Sequence, residues 1–515
     1  MNELMYLLPI GVVFAAALVV VLLDTVLPRT ERYLLPWVAL TGCAVALVST
    51  YQIHQTLADQ GIWFLSSAGP ADARLIGPVM VRGSFCLDGF GMAIWVLACL
   101  AGALSILAAS PATEESALSS GEYYGLTLLA VAGMMLLGTA HDWLTLIISL
   151  EIMSVATYIL AGSRRDDIRS NEAALKYLLL GAFSTAFLLM GIAFYYGAFG
   201  SLSLTPNPAV LRLPLHELQS RHSFALLGLG LVLVGALFKI GATPFHFWVP
   251  DVYEGAPTAV TGLMAAGVKA AAFAVLARLA FETFGGHEYR TAWLPLLLVA
   301  SLLTMIVGNV LAIRQSSVKR MLAYSSIAHT GYLLLAFLVL PHPKDVGAIN
   351  ANLEAVVFYL LVYSVMTVGA FGVVALVRED GRPLETMDDY AGLAKEHPGI
   401  ALCMAIFMLS LAGVPPTGGF FAKFLVFRGA IGQGVLEQGQ HQTAILFAAV
   451  VGILMSVVSL YYYLRVIVKM YMSPANDTAA PAPAARCRYA WGLTVLIYAA
   501  GVVTLLSGFL PGWFY

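Results

Sequence analysis

The chain has 515 residues, of which 60% are hydrophobic and 11% charged, with a mean hydropathy of +0.85 and a net charge of −2. Soluble globular domains carry about 25% charged residues, so this composition excludes a soluble enzyme or nucleic-acid binder and points to a chain solvated by lipid. The five cysteines (Cys43, Cys86, Cys99, Cys403, Cys487) are scattered, and no CxxC or HExxH spacing occurs, which argues against an iron–sulfur cluster, structural zinc or a disulfide framework.

A spanning helix needs about 20 mostly apolar residues, and fourteen stretches qualify. They are Leu4–Leu23, Leu34–Ile53, Phe85–Ala109, Tyr123–Ala140, Trp143–Gly162, Ala173–Phe199, Phe224–Val249 and Thr258–Phe281, then Trp293–Ile313, Val318–Leu340, Leu353–Val377, Gly399–Gly429, Gln442–Met470 and Tyr489–Leu510. The first lacks a basic leader and a cleavage site, so it is expected to be a retained span. The loops at about Gln55–Ser84 and Gly200–Ser223 have room for short hairpins or surface helices. Ser473–Arg488 reads as an Ala/Pro-rich tether. One set of loops carries more Lys and Arg, including Arg164, Arg165, Arg169, Arg314, Lys319 and Arg320. The positive-inside rule makes that face cytoplasmic and, with an even span count, puts both termini on the other side.

The fold class expected is an all-α polytopic membrane protein. The seventh and twelfth spans carry breaks, at Gly241/Pro244 and at Pro415-Pro416-Thr417-Gly418-Gly419. Each break is the fourth member of a five-helix unit. Units with an odd number of helices alternate in topology, so the pattern predicts two inverted repeats with sites near the midplane. The divisions expected are residues 1–121 (three helices), 122–282 (first repeat), 283–472 (second repeat) and 473–515 (linker and last helix).

Four ionisable residues stand deep within spans: Glu151, Lys239, Lys269 and Lys423. A charge at the bilayer centre costs about 2.5–3.5 kcal/mol even on lenient scales, and such residues mark ion or proton relays. Lysine suits a relay because burial shifts its proton affinity readily. Lys176, Arg278, Arg465 and Lys469 lie nearer span ends and read as snorkelling side chains. His329, among Ser325, Ser326 and Thr330, and His246, just past Pro244, divide between core residue and relay station. Asp251 and Glu254 read as rim residues, Tyr461-Tyr462-Tyr463 as interfacial aromatics, and Gly228, Gly230 and Gly235 as close-packing glycines. Lys239 precedes its break, where helix-end carbonyls favour a cation. Lys423 follows its break, where a helix start disfavours one, so Lys423 is expected to lose its proton more easily.

FKIGATPFHFWVPDVYEGAPT, SSVKRMLAYSSIAHTGY, SLAGVPPTGGFFAKF and YYYLRVIVKMY closely resemble the subunit N family of the proton-pumping NADH:quinone oxidoreductases, bacterial respiratory complex I. The resemblance spans roughly Asp88 to Met472. It implies a Glu151–Lys239 coupling pair, Lys269 as the connecting lysine, Lys423 on the exit side and His329 on a hydrated axis between them. It further implies a proton-translocating subunit of a bacterial inner membrane complex, with other membrane subunits as partners. NADH, FMN, iron–sulfur clusters and quinone would lie in or between those partners, with no cofactor on this chain. The alternatives are a subunit of an Mrp-type sodium/proton antiporter and a structural subunit that only supports assembly.

Overall fold

The computed structural model describes residues 3–58, 79–81, 83–109, 118–205, 215–284, 287–338, 346–379, 382–436, 442–473 and 491–510. The Ser473–Arg488 tether, Cys487 and most of the two long loops therefore lie outside the described residues, apart from Ser473 itself. Among the described residues, thirteen helices are long and apolar enough to cross a membrane. The remaining expected span, Gly399–Gly429, is divided into Pro398–Ala412 and Gly418–Leu436.

In chain order, α1 is Leu8–Val26, α2 Leu35–Ala58, α3 Gly89–Ala108, α4 Ser120–Thr139, α5 Trp143–Ala161, α6 Ile168–Phe199, α7 Leu215–Ile240 and α8 Trp248–Gly255. Next come α9 Thr258–Thr283, α10 His287–Ile313, α11 Val318–Leu338, α12 Val346–Leu376, α13 Pro398–Ala412, α14 Gly418–Leu436, α15 Gln442–Met472 and α16 Trp491–Phe509. The starts follow local chemistry. Asp88 accepts the Gly91 N–H at 2.7 Å and Asp142 the Thr145 N–H at 2.8 Å, while Ser119 and Glu122 form a reciprocal capping box at α4. The cap at Asp88 explains why the third span starts at Gly89 and not at Phe85. Phe85–Leu87 is instead β2, paired antiparallel with β1, Val79–Val81. The hairpin foreseen in the first long loop thus falls at its end, and isolated bridges join Phe85 to Ala140 and Asp142 to Ser203 on that same face.

The helices sort by what surrounds them. In α9 the whole apolar window is buried, and in α11 and α12 nearly all of it, against 28% for α1 and α15. The three central helices therefore touch protein on every side. Outer helices α6 and α15 turn Leu179, Phe183, Phe447 and Val457 outward, the apolar face a bilayer would meet. α6 and α7 pack closely because Gly191 and Gly228 oppose each other: a Cβ on Gly228 would meet the Gly191 carbonyl at 2.8 Å. Gly235 is similarly crowded by Leu188, whereas Gly230 faces open space. Near its centre α9 widens to a π turn at Met264–Val268, directly before Lys269. Such π bulges are frequent at functional sites.

Candidate functional site

Both breaks are built from the same backbone device. α7 ends in a Schellman motif, with Gly241 left-handed at φ 71, Ala242 N–H bonded to Leu237 O at 2.9 Å and Gly241 N–H to Phe238 O at 3.0 Å. α13 ends the same way, with Gly413 at φ 85, Val414 N–H on Leu409 O at 3.0 Å and Gly413 N–H on Ser410 O at 3.0 Å. A cis X-Pro bond follows in each, Thr243-Pro244 and Pro415-Pro416. The carbonyls at the first break are mostly satisfied, not free beside Lys239. Phe238 O also accepts from Trp248 Nε1 at 3.0 Å, and Ile240 O accepts from Thr330 Oγ1 at 3.0 Å.

Lys239 closes the last turn of α7 and turns its ammonium to α5, donating to Ser154 Oγ at 2.8 Å and Tyr158 OH at 3.2 Å. Glu151, one turn earlier on α5, is half-buried and accepts from Thr185 Oγ1 at 2.9 Å. Carboxylate and ammonium are thus near neighbours along one helix face, each held by hydroxyls and with no ion pair between them among the described residues. A small apolar cavity lined by Leu137, Met153, Gly235, Ala236 and Ala272 leads from Lys239 toward α9.

Lys269 donates to Ser326 O at 2.6 Å, to Ser326 Oγ, and to Thr330 Oγ1 at 2.9 Å. Thr330 therefore joins Lys269 to the carbonyl next to Lys239. Farther along α11, His329 Nδ1 meets Tyr359 OH at 2.8 Å and Nε2 meets Tyr463 OH at 3.3 Å. Tyr463 in turn shares a hydrogen bond with Ser325 Oγ at 2.5 Å. His329 packs edge-on to Tyr332 at 5.7 Å, and the Lys423 ammonium lies 5.0 Å from the centre of that same ring. Lys423 donates to Ala412 O and Ser456 Oγ, both at 2.9 Å. Hydrogen bonds to a charged group contribute about 1.5–3 kcal/mol each. Two or three per lysine offset the cost of an ammonium at this depth, so none needs an adjacent carboxylate.

The Lys423 geometry removes the helix-dipole reason for expecting easier proton loss there. Although Lys423 follows its break in sequence, its ammonium folds back onto the C-terminal carbonyl of α13, the end where a cation is favoured. His246 is 7% exposed and stacks on Phe247, beside the Pro244 backbone. It is not brought together with the lysines. Asp251 and Glu254 sit at the rim, joined to Arg320 at 3.0 and 2.6 Å, with Lys176 on Asp251 at 2.6 Å. Burial raises the Asp251 proton affinity, yet the Lys176 hydrogen bond and Arg320 outweigh it and hold the carboxyl below its usual value.

Two other readings are corrected. Arg278 does not snorkel. It is 2% exposed and grips Asp88 bidentately at 2.7 and 2.9 Å, with Glu282 at 2.5 Å and His141 in turn 3.0 Å from Glu282. This four-residue cluster ties α9 to the β-hairpin and to the α4–α5 turn. Of the tyrosine triplet only Tyr461 is exposed. Tyr462 and Tyr463 are buried, Tyr462 donating to Asn309 Oδ1 at 3.0 Å. Residue types alone left Ser154, Tyr158, Tyr332, Tyr359, Tyr463 and Ser456 out of the site. The available signal was hydroxyls spaced three or four apart around Glu151 and His329.

The family described as NADH:quinone oxidoreductase/Mrp antiporter, TM, matches residues 140–456. The chain is 42% identical over 432 residues to NADH-quinone oxidoreductase subunit N of Trichlorobacter lovleyi, covering 83% of this chain and 82% of that one. A chain of respiratory complex I from Thermus thermophilus with bound aureothin is similar at 33% identity and a TM-score of 0.72, covering 98% and 97% of the two chains. A chain of the Mrp complex from Dietzia sp. DQ12-45-1b shares the fold at a TM-score of 0.77, covering 98% and 95%, with 21% identity.

Proposed function

From the premise that this chain belongs to the NADH:quinone oxidoreductase/Mrp antiporter family and, within it, to the subunit N branch, we propose that its buried lysines carry protons through the membrane arm of respiratory complex I. The chain is a multi-pass, proton-pumping subunit of that translocase. Its partners are other membrane subunits, and the redox cofactors sit on partner subunits. In the proposal those are NADH, FMN and iron–sulfur clusters, with quinone in or between partners. Both termini face the non-cytoplasmic side, and residues 122–282 and 283–472 form two repeats of opposite topology.

The observation that carries the reading is the row of three buried ammonium groups, each held by hydroxyls, with Thr330 joining the first break to Lys269. Glu151 is the counter-charge of Lys239. Moving the ammonium from Ser154 to Glu151 is a shift of three residues along α5, about 4.5 Å at 1.5 Å per residue. An opposite charge at about 4 Å contributes roughly 4 kcal/mol at an effective dielectric near 20. Closing that pair therefore holds Lys239 protonated, and opening it favours release toward Lys269. Lys423 delivers the proton on the exit side, with His329 and its tyrosines between them. His246 has the weakest claim to a role, having no polar partner among these residues.

Each charge moved against 100 mV costs about 2.3 kcal/mol, so the relay works only when driven by electron transfer in partner subunits. Lys239→Ala should abolish most proton pumping in the assembled complex, measured as vesicle acidification per NADH oxidised. Pumping at normal stoichiometry would refute the assignment. The sodium/proton antiporter alternative is supported by the shared fold and by nothing more specific to this chain.

A further inference from the structure

The three buried lysines share a pair of companions. Lys239 donates to Ser154 and lies 5.5 Å from the centre of the Tyr158 ring. Lys269 donates to Ser326 and lies 5.4 Å from that of Tyr363. Lys423 donates to Ser456 and lies 5.0 Å from that of Tyr332. The serines and tyrosines come from α5, α11, α12 and α15, from one helix for Lys239 and from two different helices for Lys269 and for Lys423. No single local motif forces the coincidence.

A ring face attracts a cation through its quadrupole, but it offers neither a net negative charge nor a base for the proton. It steadies the charged lysine less than a carboxylate would and leaves the proton free to depart. We propose that at Lys269 and Lys423, which have no carboxylate bridged to them among the described residues, these serine–tyrosine cradles set how tightly the lysine holds its proton, with Tyr332 as the positioning residue for Lys423. The inference rests on the reading that these lysines carry protons.

Lys423 gives the cleanest case. Tyr158 also accepts a hydrogen bond from Lys239 through its hydroxyl. The Tyr332 hydroxyl is instead engaged by Asn309 Nδ2 at 3.0 Å, and Asn309 is oriented by Tyr462 at 3.0 Å. What Tyr332 presents to Lys423 is its face. The other titratable groups facing this lysine are His329 on α11, within electrostatic range of both Lys269 and Lys423, and behind it Tyr359 on α12 and Tyr463 on α15.

The test uses assembled complex in vesicles, with assembly checked on native gels. Position 332 is filled with phenylalanine carrying successive ring fluorines, which weaken the face without altering its shape. Since the face stabilises the protonated lysine, weakening it lowers proton affinity. The pH profile of pumping should move toward acid in step with fluorination, by about one pH unit across the series. Tyr332→Phe itself should leave the profile in place, because the ring remains.

Lys423→Ala is run in parallel. If it abolishes pumping while the fluorinated series shows no shift, the cradle proposal falls and the relay reading stands. If Lys423→Ala pumps normally, both fall. A shift in Tyr332→Phe as large as in the most fluorinated protein would assign the effect to the hydroxyl and overturn the role of the ring.

Discussion

The two broken helices stop in the same way and are used differently. In each, the carbonyl just before the left-handed glycine, Ile240 O or Ala412 O, is bound from another part of the fold. At the second break Lys423 reaches that carbonyl directly, from the half-helix that follows. At the first, the Thr330 hydroxyl stands between the carbonyl and Lys269, while Lys239 turns away to α5. Asp251 occupies the offset from Gly241 that Lys423 occupies from Gly413, and it sits at the charged rim. The place of a lysine in the sequence therefore does not give the field it feels. The reach of its side chain does, and it lets Lys423 use the dipole of the helix before its own.

The contrast can be broken by substitution. Alanine at Gly413 or Gly241 meets the same left-handed strain, about 1–2 kcal/mol, and both variants should melt earlier in thermal unfolding of the complex. Only the Cβ at 413 also presses on Lys423, 3.0 Å from its Cδ, whereas that at 241 meets Val249 at 2.7 Å. Gly413→Ala should therefore lose pumping beyond its loss of stability, and Gly241→Ala should pump normally in the fraction that assembles. Equal losses would mean that the two breaks do the same work.

Thr330→Val removes the hydroxyl from between Lys269 and Ile240 O and leaves a buried carbonyl without this donor, a cost of about 1–3 kcal/mol. Pumping rate should fall several-fold in vesicles, and Thr330→Ser should restore it. An unchanged Thr330→Val would show that the first break is not coupled to Lys269 through this residue.

The smallest effect is expected at Asp251. Because its carboxyl is held below the usual value by Lys176 and Arg320, its stabilising share is complete above about pH 4 and lost as pH falls through the lower, folded-state value. Asp251→Asn should lower stability by at most about 1 kcal/mol, as partly exposed pairs do. The gap from the parent protein should be flat between pH 5 and 8 in unfolding measurements. A gap that opens within that range would place another titrating group at the rim.

The spans, both breaks and the four intramembrane charges were legible in the sequence because hydropathy, proline and lone charges are local signals. Partners were not. Arg278 looks like a span-end arginine until Asp88, 190 residues away, folds onto it. The tyrosine triplet reads as interfacial because tyrosine suits either a membrane boundary or a polar core. Which of the three faces inward depends on how α15 packs against α10 and α11. Glu151 and Lys239 were expected as a pair, but Ser154 and Tyr158, which hold the lysine, are residue types too common to stand out.

Helix α9 has no face left for lipid. Around Lys269 it is built of small residues, AAGVKAAA, and a side chain on Gly267 would strike Met134 at 2.7 Å. A helix at the boundary of the protein can be oriented by the bilayer as soon as it is inserted, whereas this one acquires its orientation only from its neighbours. Its lysine finds its oxygen partners on α11, which is made later in the chain. In biogenesis the Arg278 end of α9 can be held by Asp88 at once, whereas the stretch around Lys269 should settle last, when α11 arrives to receive the lysine.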